Sequence, residues 1–126
     1  MEIEIDINSP SPVYQQLVDQ IITGILSGAL TSGDALPAIR QLAKDLRLNP
    51  NTVAKAYKQL ETQRVIQTAR RAGTFIRQGA RGNCITSIHH AAQEQLGELI
   101  EDFKERGLDN KDISSLLRSH IKQLTA

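Results

Sequence analysis

The residue types able to do covalent or metal chemistry are few in this chain, and their spacing does not support either. The candidates are Cys84, His89, His90 and His120. Adjacent histidines on a helix project about 100° apart, so His89 and His90 do not easily share one metal ion. No HxxxH, CxxC or paired-carboxylate pattern accompanies them, so neither an enzyme nor a metal or other cofactor is expected. The polar residues with coherent spacing are of another kind. Asn51, Lys55, Lys58 and Thr62 recur at helical intervals with no acid among them, while Val53, Ala56, Tyr57 and Leu60 fall on the other side. Asparagine carries the donor and acceptor that pair with adenine, lysine reaches guanine or phosphate, and threonine bonds phosphate. Asn49 and Thr52, at the start of the same stretch, extend the set. So do Arg40 before it and Arg70, Arg71 and Gly73 after it. Plainer readings stand beside these: Asn49 as a helix cap, Thr52 bonded to backbone, Arg40 in a surface ion pair and Gly73 as a turn residue. The two readings of Gly73 are compatible.

Charge is distributed to match. The 126 residues carry a net charge of only +1. Residues 1–35 hold five acids and no Lys or Arg, a net of −5. Residues 36–81 hold ten bases against Asp45 and Glu61, a net of +8, and residues 82–126 return to −2. A basic middle between acidic flanks is the electrostatic footprint expected for a polyanion partner, though a solvated surface produces such a bias too. Apolar residues at 40% are too many for a disordered chain, and 3% aromatics suit a helix-rich core of Leu, Ile, Val and Ala. The single cysteine fits a reducing cytoplasm. The acidic start MEIEIDINSPSP lacks a signal core, and no apolar run approaches the roughly 20 residues of a bilayer span, so no membrane partner is expected.

Several elements must position these residues. Glu2 to Asp6 alternate acid with Ile and predict a short edge strand. Ser9-Pro-Ser-Pro12 then opens a helix, with Ser11 as cap and Pro12 in the first turn, and Leu17, Ile21 and Ile25 give it an apolar face. A second helix is predicted from Pro37 to about Arg47. A third is predicted from Asn49-Pro50 to about Gln63. Val65 to Thr68 and Thr74 to Arg77 predict a hairpin with a basic tip. Gly79 to Asn83 reads as a hinge. Two helices follow, with apolar stripes Ile85, Ile88, Ala92, Leu96, Leu99, Phe103 and Ile113, Leu116, Leu117, Ile121, Leu124; Gly107 stops the first and Asp109 caps the second.

The expected fold is mainly α (α+β): a winged helix-turn-helix over residues 1–80 and a two-helix dimerisation tail over residues 81–126. About 45 residues are too few for the tail to bury a core of its own, so a second copy of the chain is the simplest cover for its stripes.

Pro12-Val-Tyr-Gln-Gln-Leu17, Leu36-Pro-Ala-Ile-Arg-Gln-Leu-Ala43, Leu48-Asn-Pro-Asn-Thr-Val-Ala-Lys-Ala-Tyr57 and Ala72-Gly-Thr-Phe-Ile76 together resemble the N-terminal domain of GntR-family bacterial transcription regulators. The short tail and the Asn-Pro-Asn-Thr run resemble the YtrA subfamily. The resemblance implies a homodimeric regulator of its own or a neighbouring transporter operon, binding double-stranded DNA through Arg40, Asn51, Thr52 and the wing around Arg70 to Gly73. Two departures matter. Pro50 stands where many relatives carry a base-reading arginine, which leaves readout to Asn51 or Lys55. Arg64 and Arg71 stand where the family usually has glycines. Two alternatives are a winged helix used only for protein contact, against which the +8 segment argues, and a ligand sensor. The effector of such a sensor is unspecified, and its pocket would have to lie at the dimer interface.

Overall fold

A computed structural model describes residues 2–69 and 71–126. They divide into two units, residues 1–87 and residues 88–126. In the first unit the chain forms α1 (Val13–Ser27), β1 (Ala35–Leu36), α2 (Ile39–Leu46), α3 (Pro50–Thr62), β2 (Ile66–Ala69) and β3 (Gly73–Ile76); α4 (Ala80–Glu105) then begins in the first unit and ends in the second, and α5 (Asn110–Thr125) follows.

The apolar periodicity of the first three helices is used as expected. Leu17, Val18, Ile21 and Ile25 of α1, Leu42 and Ala43 of α2, and Val53, Ala56, Tyr57 and Leu60 of α3 meet in one core with Val65, Ile66 and Ile76. The Tyr57 hydroxyl donates to the Pro37 carbonyl at 2.7 Å, and burial pushes its pKa up to about 12. The sheet has the order β1-β3-β2, antiparallel throughout, with Leu36 opposite Thr74 and Thr68 also opposite Thr74 from the other side. This is a winged helix-turn-helix.

Four local expectations are corrected. Glu2 to Asp6 do not form a strand. A strand needs a neighbouring ladder, and here two glutamines one helical turn apart on α1 supply it instead. Gln20 accepts from the Glu4 N–H at 2.9 Å and donates back to its carbonyl, and Gln16 does the same for Asp6. Ser11 does not cap α1: Pro12 holds the N-cap position with no side-chain bond, and the Ser11 carbonyl is taken by Gln16. α2 starts at Ile39 rather than Pro37, because Ala35 and Leu36 are drawn into the sheet beside β3. The segment Gly79 to Asn83 is not a hinge. It is helical from Ala80, and Ala80 and Cys84 are buried in the first unit's core. Arg81 donates to the Leu26 carbonyl at the end of α1, and Asn83 donates to the Arg64 carbonyl at 2.8 Å.

In the second unit the turn after α4 passes through Gly107 (φ 103°), a backbone shape that favours glycine. The Leu108 N–H returns to the Phe103 carbonyl at 3.0 Å, closing the turn. Asp109 then caps α5 in a reciprocal box with Asp112.

Candidate nucleic-acid interface

The start of α3 is built by Asn49 and Pro50. Asn49 Oδ1 accepts from the Asn51 N–H at 2.8 Å, so Asn49 is a working cap. Proline at the first helical position forgoes only an N–H that the helix could not use. The exposed side of α3 carries Asn51, Lys55, Lys58 and Thr62, and Thr52 is half-buried beside them. Thr62 donates to the Lys58 backbone carbonyl at 3.0 Å, and the Lys58 side chain is exposed. The Asn51 side chain makes no hydrogen bond among the described residues, which suits a group meant for an external partner.

Lys55 also has a contact inside the protein. Its Nζ lies 4.0 Å from the centre of the Tyr14 ring on α1, so it has a local partner. A cation over an aromatic face stays solvent-facing on its other side. The Tyr14 ring therefore fixes where the ammonium stands without neutralising it. Nothing in the spacing of α3 alone pointed to Tyr14, because the contact joins residues far apart in sequence.

Arg40 is exposed in the first turn of α2. At the wing, the Ala72 N–H donates to the Ala69 carbonyl at 3.1 Å, and Gly73 has φ 95° with nothing near its missing β-carbon. Gly73 is thus set by backbone shape, with open space toward solvent. Arg71 is exposed at the tip; Arg70 lies outside the described residues. The base of the wing is tied to α3, since the Thr68 hydroxyl donates to the Glu61 carboxylate.

The residues of the two apolar stripes separate by burial. Ile88, Leu96, Leu99, Leu116, Ile121 and Leu124 are exposed large side chains in the second unit, with Leu124 at 86%, and Ala92 is exposed with them. Ile113 is buried within that unit, and Phe103 and Leu117 are half-buried. Ile85 is about half-exposed in the first unit. The groups first considered for chemistry are placed unfavourably for it: Cys84 lies in the core with its thiol pKa pushed up by burial, and His89, His90 and His120 are surface residues. No helix of the described residues is long and apolar enough to cross a membrane.

Comparison with known proteins agrees with this geometry. The sequence profile of "Bacterial regulatory proteins, gntR family" matches residues 13–76, from the first residue of α1 to the last of β3. The chain is 37% identical to the HTH-type transcriptional repressor YtrA of Bacillus subtilis (strain 168) over 98% of its own length and 92% of that protein's. A transcriptional regulator from Oenococcus oeni of known crystal structure aligns with a TM-score of 0.69 at 35% identity, covering 93% of this chain and 97% of that one. YtrA from Sulfolobus acidocaldarius, a GntR-family transcription factor, aligns with a TM-score of 0.59 at 38% identity, covering 73% and 97%. The acid-free stripe on the exposed side of α3, the wing and these similarities have one conclusion: the chain belongs to the gntR family of bacterial regulatory proteins.

Proposed function

We propose that the protein is a homodimeric, sequence-specific repressor that binds an inverted-repeat operator controlling its own or a neighbouring transporter operon. The observation that carries the DNA reading is the exposed stripe Asn51, Lys55, Lys58 and Thr62 on α3, which no acid interrupts. In a helix-turn-helix the second helix enters the major groove with its N-terminal residues leading. Asn51 is then the base reader, Thr52 and Lys55 support it, and Asn49 gives its side-chain oxygen to the cap. Arg40 and Lys58 bond phosphate. Arg71 and Gly73, together with Arg70, bring the wing to the minor groove, where narrow A·T-rich stretches concentrate negative potential. Repression is the activity in the name of the Bacillus subtilis relative.

Dimerisation is supported by the exposed Ile88, Leu96, Leu99, Leu116, Ile121 and Leu124, an apolar set that water does not favour. A two-fold pair of chains presents two copies of α3 and so reads a symmetric site.

The test uses the promoter fragment upstream of the protein's own gene. Asn51→Ala should weaken operator binding by roughly 1–3 kcal/mol and random-sequence binding much less. Arg40→Ala and Lys58→Ala should weaken both equally. In parallel, Leu96→Glu with Leu99→Glu should convert a sedimenting dimer to a monomer and lower operator affinity. Equal losses on both DNAs for Asn51→Ala would remove it from base readout, and a double variant that still sediments as a dimer would refute the assembly.

A further inference from the structure

Among the described residues, four helix ends turn through a left-handed residue. Two use glycine, Gly28 after α1 (φ 86°) and Gly107 after α4 (φ 103°). The other two use arginine: Arg47 after α2 (φ 56°) and Arg64 after α3 (φ 59°). Left-handed backbone is strained for any residue with a β-carbon, and arginine has no local hydrogen bond to offset it as asparagine can. The turn itself does not need arginine. At Arg47 it is closed by backbone alone, Leu48 N–H to Ala43 carbonyl at 2.8 Å and Arg47 N–H to Lys44 carbonyl at 3.3 Å, a pattern that glycine serves best. Strain kept where a cheaper residue would serve points to a use for the side chain.

Its neighbours indicate what use. Arg40 and Lys44 are one helical turn apart and share one stripe of α2, and Arg47 follows in the left-handed residue at the end of that stripe. All three are exposed, and none has an ion-pair partner among the described residues. The one acid of α2, Asp45, lies on the adjacent stripe, where Gln41 donates to it at 2.8 Å. Like charges this close in the chain repel one another, and no ion pair among the described residues relieves them. The stripe runs about 10 Å along the axis and ends two residues before Asn49, the cap of α3. In this motif the helix preceding the groove-entering one crosses the DNA backbone.

We infer that Arg40, Lys44 and Arg47 form one phosphate-binding ridge, and that Lys44 and Arg47 are backbone contacts in addition to Arg40. The ligand is the sugar-phosphate backbone of duplex DNA, so the ridge adds affinity without sequence preference. Arg64 is not part of it: it lies at the far end of α3 from Asn49, with its carbonyl held by Asn83. This inference rests on the DNA-binding reading of the preceding subsection.

The experiment measures binding of the full-length protein to operator and to random duplex across a salt series. Each lost phosphate contact lowers the slope of log affinity against log salt by about 0.9, equivalent to about fivefold in affinity at 0.15 M salt. Arg47→Gly should lose that slope and affinity equally on both DNAs, while its melting temperature stays level or rises. Lys44→Gln with Arg47→Gly should lose about twice the slope. Arg47→Lys, which restores the charge, should recover it. An Arg47→Gly protein with the wild-type slope overturns the ridge while leaving operator binding by Asn51 intact. A loss confined to the operator, or a drop in melting temperature, also overturns it. Wild-type protein that binds neither DNA refutes the DNA reading, and the ridge with it.

Discussion

Where the DNA-binding unit ends can be tested by cutting the chain in two places. From the apolar pattern alone, ending it after Arg81 should leave the winged helix intact. The structure predicts a cost, because the first two turns of α4 are part of that unit. Cys84 is fully buried there, and losing its β-carbon and sulfur removes roughly 1.5 kcal/mol at about 0.8 kcal/mol per methylene-sized group. The Asn83 bond to the Arg64 carbonyl is worth about 1 kcal/mol. Ala80, 4% exposed, loses the helix that holds it in place. The sum is about 3 kcal/mol, against the 5–10 kcal/mol expected of a small domain. At roughly 4–8 °C per kcal/mol for this size, residues 1–81 should melt about 10–25 °C below residues 1–87. Circular dichroism melts of the two fragments at equal concentration measure the difference. If they melt within 3–4 °C (less than about 1 kcal/mol), the α4 segment is an appendage to the unit and the core assignment of Cys84 is wrong.

Two further outcomes follow from single side chains. Tyr57 keeps its proton in the folded state to about pH 12 but loses it near pH 10 when unfolded; between those values the unfolded chain binds fewer protons, so stability falls as pH rises. Tyr57→Phe should be about 1 kcal/mol less stable than wild type at pH 7, through loss of the Pro37 bond, and that gap should narrow in urea titrations above pH 10; a constant gap would refute the burial argument. Arg64→Gly should melt at or above wild type, since relief of about 1 kcal/mol of left-handed strain outweighs or balances about 0.5–1 kcal/mol of added glycine chain entropy. Arg64→Ala keeps the strain and should gain nothing, and a glycine variant less stable than the alanine variant would refute the account.

What the sequence by itself determined is everything set by short-range periodicity and local capping. The inward set Val53, Ala56, Tyr57 and Leu60, the Asn49 cap with Pro50 behind it, the hairpin with Gly73 at its turn and the Gly107–Asp109 break all depend on residues within a turn or two of one another. So does the outward face of α3, because a 3.6-residue period assigns Asn51, Lys55, Lys58 and Thr62 to one side whatever the helix packs against. Tertiary structure decided the features that need a distant partner. The Glu2 to Asp6 pattern looked like a strand, but Gln16 and Gln20 reach its backbone first. β1 is two residues long and exists only because β3 lies beside it, which moved the start of α2 from Pro37 to Ile39. Gly79 to Asn83 read as a hinge from composition, yet the core offers Ala80 and Cys84 a place that composition does not record. Lys55 acquired Tyr14 from another helix, and Arg64 acquired Asn83. Periodicity carries no information about which surfaces meet, so these contacts appear only when the chain is closed on itself.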